Sequence, residues 1–142
     1  MERLLTLRLL TVLLLALAVS ACDDDTPTTP TTTPPSVTDT FTGAITQNGA
    51  TTHSFNVSTS GTVKATLKTV GADNTLVVGF SLGTWNTVTE SCSVVLANDA
   101  ATAGAVLQGT MTGTGTLCLR MYDVGNVVAP AGAAYSVDIE HP

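Results

Sequence analysis

Few residues in this chain are of a type that does chemistry, and their spacing narrows what they can do. A hydrolytic site needs a nucleophile, a base and an acid that orients the base. The chain offers only two histidine bases, His53 and His141. His53 shares the apolar face of an alternating stretch with Phe55 and Val57, which predicts a half-buried structural imidazole. His141 is the penultimate residue and is expected to be mobile. Neither a Gly-x-Ser-x-Gly motif nor a phosphate-cradling glycine loop is present. Asp138 and Glu140 are the one close carboxylate pair on a predicted strand face, and they are expected to point to solvent from an edge-like terminal strand. These residues do not add up to an enzyme.

Metal and ligand chemistry have slightly more to work with. Calcium takes about six to eight oxygen ligands, and Asp73, Asp99 and Asp123, with Asn74 and Asn126, supply oxygens from predicted loops. The same residue types also build turns through their own side-chain hydrogen bonds. Calcium is therefore the one candidate cofactor, and no other is expected. Zinc is not expected, because the cysteines and histidines form no ligand cluster. Trp85, in a Gly-Thr-Trp-Asn turn, and Tyr122 are candidates for an aromatic platform that binds sugar or peptide. The competing reading has Trp85 cover one end of the fold or shield a disulfide. Arg120, mid-strand beside Tyr122, is expected to lay its stem on the outer face.

The elements that position these residues are strands. Val63, Ala65 and Leu67 alternate with Lys64, Thr66 and Lys68; Leu117, Leu119 and Met121 alternate with Cys118, Arg120 and Tyr122; Tyr135, Val137 and Ile139 alternate with Ser136, Asp138 and Glu140. Period-two patterning of this kind marks half-buried strands. Gln47-Asn48-Gly49, Ser60-Gly61, Gly71-Ala72-Asp73-Asn74 and Asp123-Val124-Gly125-Asn126 punctuate the runs as turns. Ala97 to Ala105 reads as a long loop because of Asn98, Asp99 and Gly104. The count of seven to nine short strands predicts an all-β fold, an antiparallel β-sandwich that is jelly-roll-like, over residues 40–142.

Upstream of that domain the character changes. Arg3 and Arg8 precede an apolar run from Leu9 to Val19, a length that suits a signal peptide and is short for a membrane span. Leu17-Ala18-Val19-Ser20-Ala21-Cys22 then resembles the lipobox of bacterial lipoproteins. The resemblance implies a cleaved leader over residues 1–21 and a lipid on Cys22, anchoring the protein to a bacterial membrane in the cell envelope. An uncleaved anchor, or ordinary cleavage after Ala21, is the alternative. Residues 22–39 carry Asp23-Asp24-Asp25 and a Thr/Pro series with no aliphatic or aromatic residue before Val37, which predicts a disordered, extended tether. At about 3.1 Å per residue it could hold the domain up to roughly 50 Å from the bilayer. The threonines are also candidates for O-glycosylation. The three aspartates resemble both an inner-membrane retention signal and a surface-export signal, so periplasmic face and cell surface both stay open. With Cys22 lipidated, Cys92 and Cys118 are the even pair left in an oxidising compartment, and a disulfide between them is expected.

Without the leader, three cations (Lys64, Lys68, Arg120) face ten carboxylates. A surface this acidic argues against nucleic acid as a partner. A second resemblance runs through the folded part. Phe41-Thr42-Gly43, then His53-Ser54-Phe55-Asn56-Val57, Gly61-Thr62-Val63, Gly115 to Tyr122 and Tyr135-Ser136-Val137 follow an order similar to the bacterial pre-peptidase C-terminal domain. That family is an accessory β-sandwich of exported enzymes, though no catalytic domain accompanies it here. The combined expectation is a lipid-anchored, non-catalytic module that binds a protein or glycan partner. A purely structural envelope lipoprotein is the alternative, and a hydrolase built around His53 is a third.

Overall fold

The computed structural model describes residues 35–142, which form one compact unit with its own core. The expected lipid site at Cys22, the expected leader and most of the expected tether lie outside the described residues. Eight strands follow in chain order: β1 (Val37–Ile45), β2 (Ala50–Val57), β3 (Gly61–Val70), β4 (Val78–Asn86), β5 (Ser91–Ala101), β6 (Val106–Met111), β7 (Gly115–Tyr122) and β8 (Ala133–His141). They build two four-stranded antiparallel sheets, ordered β1-β8-β3-β6 and β2-β7-β4-β5. Only β4 and β5 are consecutive strands of one sheet; every other connection crosses between sheets. That is the eight-stranded, double-Greek-key arrangement of a jelly roll.

Alternation places the core. Val63, Ala65 and Leu67 of β3, Phe80 and Leu82 of β4, Leu119 and Met121 of β7, and Val137 and Ile139 of β8 all point between the sheets and are buried. Two boundaries and one strand position differ from the sequence reading. First, β1 begins at Val37, so Val37 to Asp39 belong to the folded unit and not to the tether. Hydrogen bonding to β8, which aligns Val37 with His141, outweighs the polar composition of that stretch. Second, Ala97 to Ala101 continue β5, and the loop is only Thr102 to Ala105. Third, β8 is an interior strand between β1 and β3, not an edge. Asp138 and Glu140 therefore meet cross-strand partners: Glu140 pairs with Lys64 at 3.0 Å, and Asp138 lies 3.9 Å from Lys68 while accepting from Thr40 Oγ1 at 2.7 Å.

Cys92 and Cys118 are disulfide-bonded, with Cα atoms 5.8 Å apart. They sit on β5 and β7, with β4 between them. Neighbouring strands run about 4.8 Å apart, so two strands flanking a third are ordinarily too far apart for such a bond. A bulge removes the obstacle. Leu82 aligns with Leu96 and Gly83 with Val94, leaving Val95 as an extra residue on β5. The bulge coils β5 over the outer face of β4, and the contact is so close that a Cβ on Gly83 would lie 2.1 Å from the Ser93 carbonyl oxygen. Gly83 is thus the residue that lets the hairpin fold back and the cysteines meet. Gly83→Ala is expected to lower stability by about 2–3 kcal/mol through overpacking against backbone that has no rotamer to change. Urea unfolding checks this, with a lowered midpoint and an unchanged slope as the expected result.

Candidate functional site

The two long sides of the sandwich are built differently. On the β1/β2 side, aromatic and polar side chains seal the core. His53 of β2 meets the Tyr135 hydroxyl of β8 through Nε2 at 2.7 Å, and its ring lies 5.0 Å from that of Phe41. Phe55 lies between Phe41, at 6.1 Å, and His141, at 5.4 Å between ring centroids. Gly43 is paired with Tyr135, and the tyrosine leans across it into space that a Cβ would occupy. His141 is the clearest correction to the sequence reading. It is 5% exposed and its Nε2 lies 3.1 Å from Asp39 Oδ2. The chain end is held there because Val37 pairs with it and Pro142 packs against Gly61. Both imidazoles are structural ties across strands.

Burial lowers the pKa of His53 and raises that of Tyr135, so the pair is a neutral imidazole against an un-ionised phenol. A lowered folded-state pKa means that protonation favours the unfolded chain. The contribution of His53 is therefore complete above the unfolded value of 6.5 and is lost as the pH falls through the folded value. An NMR titration of the His53 ring is expected to show a midpoint below 6.5, moving back toward 6.5 in urea.

The oxygen-bearing residues Asp73, Asp99 and Asp123 all fall at one end of the sandwich, opposite the start of β1. There each is already engaged. Asp73 Oδ1 accepts from the amide and hydroxyl of Thr75, Asn74 Oδ1 accepts from Val70 N at 3.0 Å, and Asp99 accepts from the Tyr122 hydroxyl. Asp123 accepts from Asn48 N at 2.8 Å with one oxygen and from the amides of Gly125, Asn126 and Val127 with the other. Among the described residues no three His, Cys, Asp or Glu side chains form a metal-holding group.

Asp123 is a hub. It ties the β1–β2 turn to the β7–β8 loop, while Asn126 Nδ2 donates to Val77 O and secures the β3–β4 loop. The amides of Asn48 and then Val127 hold its pKa down to about 2. Because that is below the ordinary 3.8, the stabilisation is present above 3.8 and is lost as the pH falls through about 2. Asp123→Asn is expected to melt earlier than the parent near pH 6, and the gap is expected to narrow as both are acidified from about pH 4 toward 2. Parallel thermal melts across that range check it.

Trp85 and Tyr122 do not form a platform. Trp85 lies in β4, not in a turn, directly across from Cys92. Tyr122 pairs with Gly79 at the other end of the same strand and covers it. Six residues separate those positions along β4, roughly 20 Å of strand. Tyr122 instead stacks under Arg120, whose guanidinium carbon is 4.9 Å from the ring centre.

The β5/β6 side is the feature that reading the sequence missed. Both are edge strands, each hydrogen-bonded on one side only, β5 to β4 and β6 to β3. They are joined at one end by Thr102 to Ala105, where Gly104 N donates to Leu67 O at 2.7 Å and Leu67 N to Ala105 O at 2.9 Å. Away from that link a crevice of about 280 Å³ opens between them. Val63, Leu82, Leu96, Met111 and Leu117 line it, with glycines, threonines and Val95 completing the walls and no charged residue among them. The chemistry available there is apolar contact and strand-edge hydrogen bonding. The signal in the sequence was slight: Val106 to Met111 carries neither charge nor proline, the two devices that usually blunt an edge. No family model matches this chain. None of the curated proteins matches it either.

Proposed function

We propose that this chain is a lipid-anchored β-sandwich module of the bacterial cell envelope that works by binding, without catalysis. The β5/β6 crevice carries the reading. An uncharged apolar slot between two strand edges is a recognition surface, since an edge left open is a template for another chain unless it is blunted. The histidines support a non-catalytic role, being held in strand-to-strand ties with Tyr135 and Asp39. The lipobox-like run ending at Cys22 supports the anchor, and the motifs shared with pre-peptidase C-terminal domains support an accessory task. The partner class is protein or glycan, and the acidic surface disfavours nucleic acid.

Two acyl chains make an anchor that one alone does not, at about 0.8 kcal/mol for each buried methylene. Cells fed a clickable palmitate analogue are therefore expected to label the parent and to leave Cys22→Ser unlabelled, with the variant lost from the membrane fraction. Equal labelling of the two would defeat the reading. Protease added to intact cells then distinguishes surface display from a periplasm-facing module: digestion indicates the first, protection until the outer membrane is breached the second.

A further inference from the structure

We infer that the crevice receives an extended, uncharged peptide segment that adds as a strand to β6, a deepening that rests on the binding-module reading above. The two walls are not equivalent as templates. β5 carries Val95 as a bulge, and a second irregularity falls between its pairings at Asn98 and Ala101. Bulges twist an edge away from a new partner. β6 pairs with β3 in unbroken register from Met111–Gly61 to Val106–Thr66, so its free edge keeps the regular spacing a new strand needs.

Alternation on β6 sets what the added strand must look like. Leu107, Gly109 and Met111 face inward, while Val106, Gln108 and Thr110 are exposed. A strand hydrogen-bonded to β6 would point every second side chain into the crevice, toward Leu96, Met111 and Leu117. At Gly109 the slot is narrowest, since Leu96 reaches across from β5 and a Cβ there would stand 3.2 Å from its Cδ1; the inserted side chains would sit beside that contact. Walls without charge call for an insert without charge, because an ion placed there would lose its hydration unpaired.

Other occupants fit less well. A fatty chain fills apolar volume but has no donors or acceptors for the β6 backbone. A second copy related by a two-fold axis could pair β6 with β6, but its inward positions are Leu107, Gly109 and Met111, and Gly109 brings no side chain to the middle of the slot. The chain's own residues 23–36 carry no aliphatic or aromatic side chain, and four prolines remove the amides that pairing needs.

The test uses the full lipidated chain in detergent micelles. The probe is the blocked peptide acetyl-Thr-Val-Thr-Val-Thr-Val-Thr-amide, and the readout is amide hydrogen exchange followed by mass spectrometry. Saturating peptide is expected to slow exchange in the segment covering Val106–Met111 by at least about tenfold, with a smaller effect across β5. Val95→Lys puts a charge at the lip of the slot, at a position 70% exposed and so harmless to the fold, and is expected to weaken binding at least about tenfold. Val128→Lys, at a 75% exposed position in the β7–β8 loop, is expected to bind like the parent. Unchanged exchange in β6 overturns the inference, as does protection by palmitate in place of peptide. Protection without peptide that grows with protein concentration overturns it in favour of a second copy. Each of these outcomes leaves the palmitate-labelling result standing, so failure of the peptide proposal and failure of the anchored-module reading can be told apart.

Discussion

A sandwich of two sheets has two long seams, and what the edge strands place there decides whether the core is sealed. In this domain one seam is closed and the other is not. On the β1/β2 side the Phe41, His53, Phe55, Tyr135 and His141 rings fill the gap, and their polar atoms are satisfied within the protein by the His53–Tyr135 and His141–Asp39 contacts. Buried polar groups are tolerable when paired in this way. On the β5/β6 side the residues are aliphatic, glycine or threonine, and nothing bulky enough spans from sheet to sheet except Leu96 reaching toward Gly109. The open crevice follows from that difference in side-chain size.

The closed seam also fixes where the chain enters and leaves. Val37 pairs with His141, so the first strand of the domain and its last lie side by side. A force applied to Val37 along β1 would load the β1–β8 ladder in shear, straining many hydrogen bonds together. At the opposite end the Asp123 hub and Asn126 join three loops. The disulfide acts elsewhere again, holding the β4–β5 hairpin against the outer face. It closes a loop of 26 residues and is worth on the order of 3 kcal/mol in the loop-entropy account. For a unit of this size that is a substantial fraction of net stability.

The all-β class and the disulfide were legible because they depend on local or pairwise signals: period-two alternation, turn residues, and cysteine parity. Register was not. Whether Asp138 and Glu140 face water or lysines depends on β8 lying between β1 and β3, which no local pattern states. His141 reads as a loose end because it is the penultimate residue, yet its partner Asp39 is 102 residues away. Trp85 was placed in a turn because glycine and asparagine flank it, whereas Gly83 serves close strand contact and Asn86 accepts from the amides of Val88 and Thr89 in the turn that follows.

The segments whose order resembles pre-peptidase C-terminal domains have a physical role in the closed seam. Phe41, His53, Phe55 and Tyr135 are the residues that seal it, and Gly43 admits the Tyr135 ring. Such positions specify how β1, β2 and β8 close on one another. They speak to fold, since a side chain used to join two sheets is not free to meet a ligand. The crevice lies on the other side; Val63 and Leu117 at its floor belong to those segments, while Val95, Leu96, Gly109 and Met111 at its walls do not. The proposed recognition would therefore rest mainly on the walls that β5 and β6 supply, which can change while the sealed side, and with it the fold, stays the same.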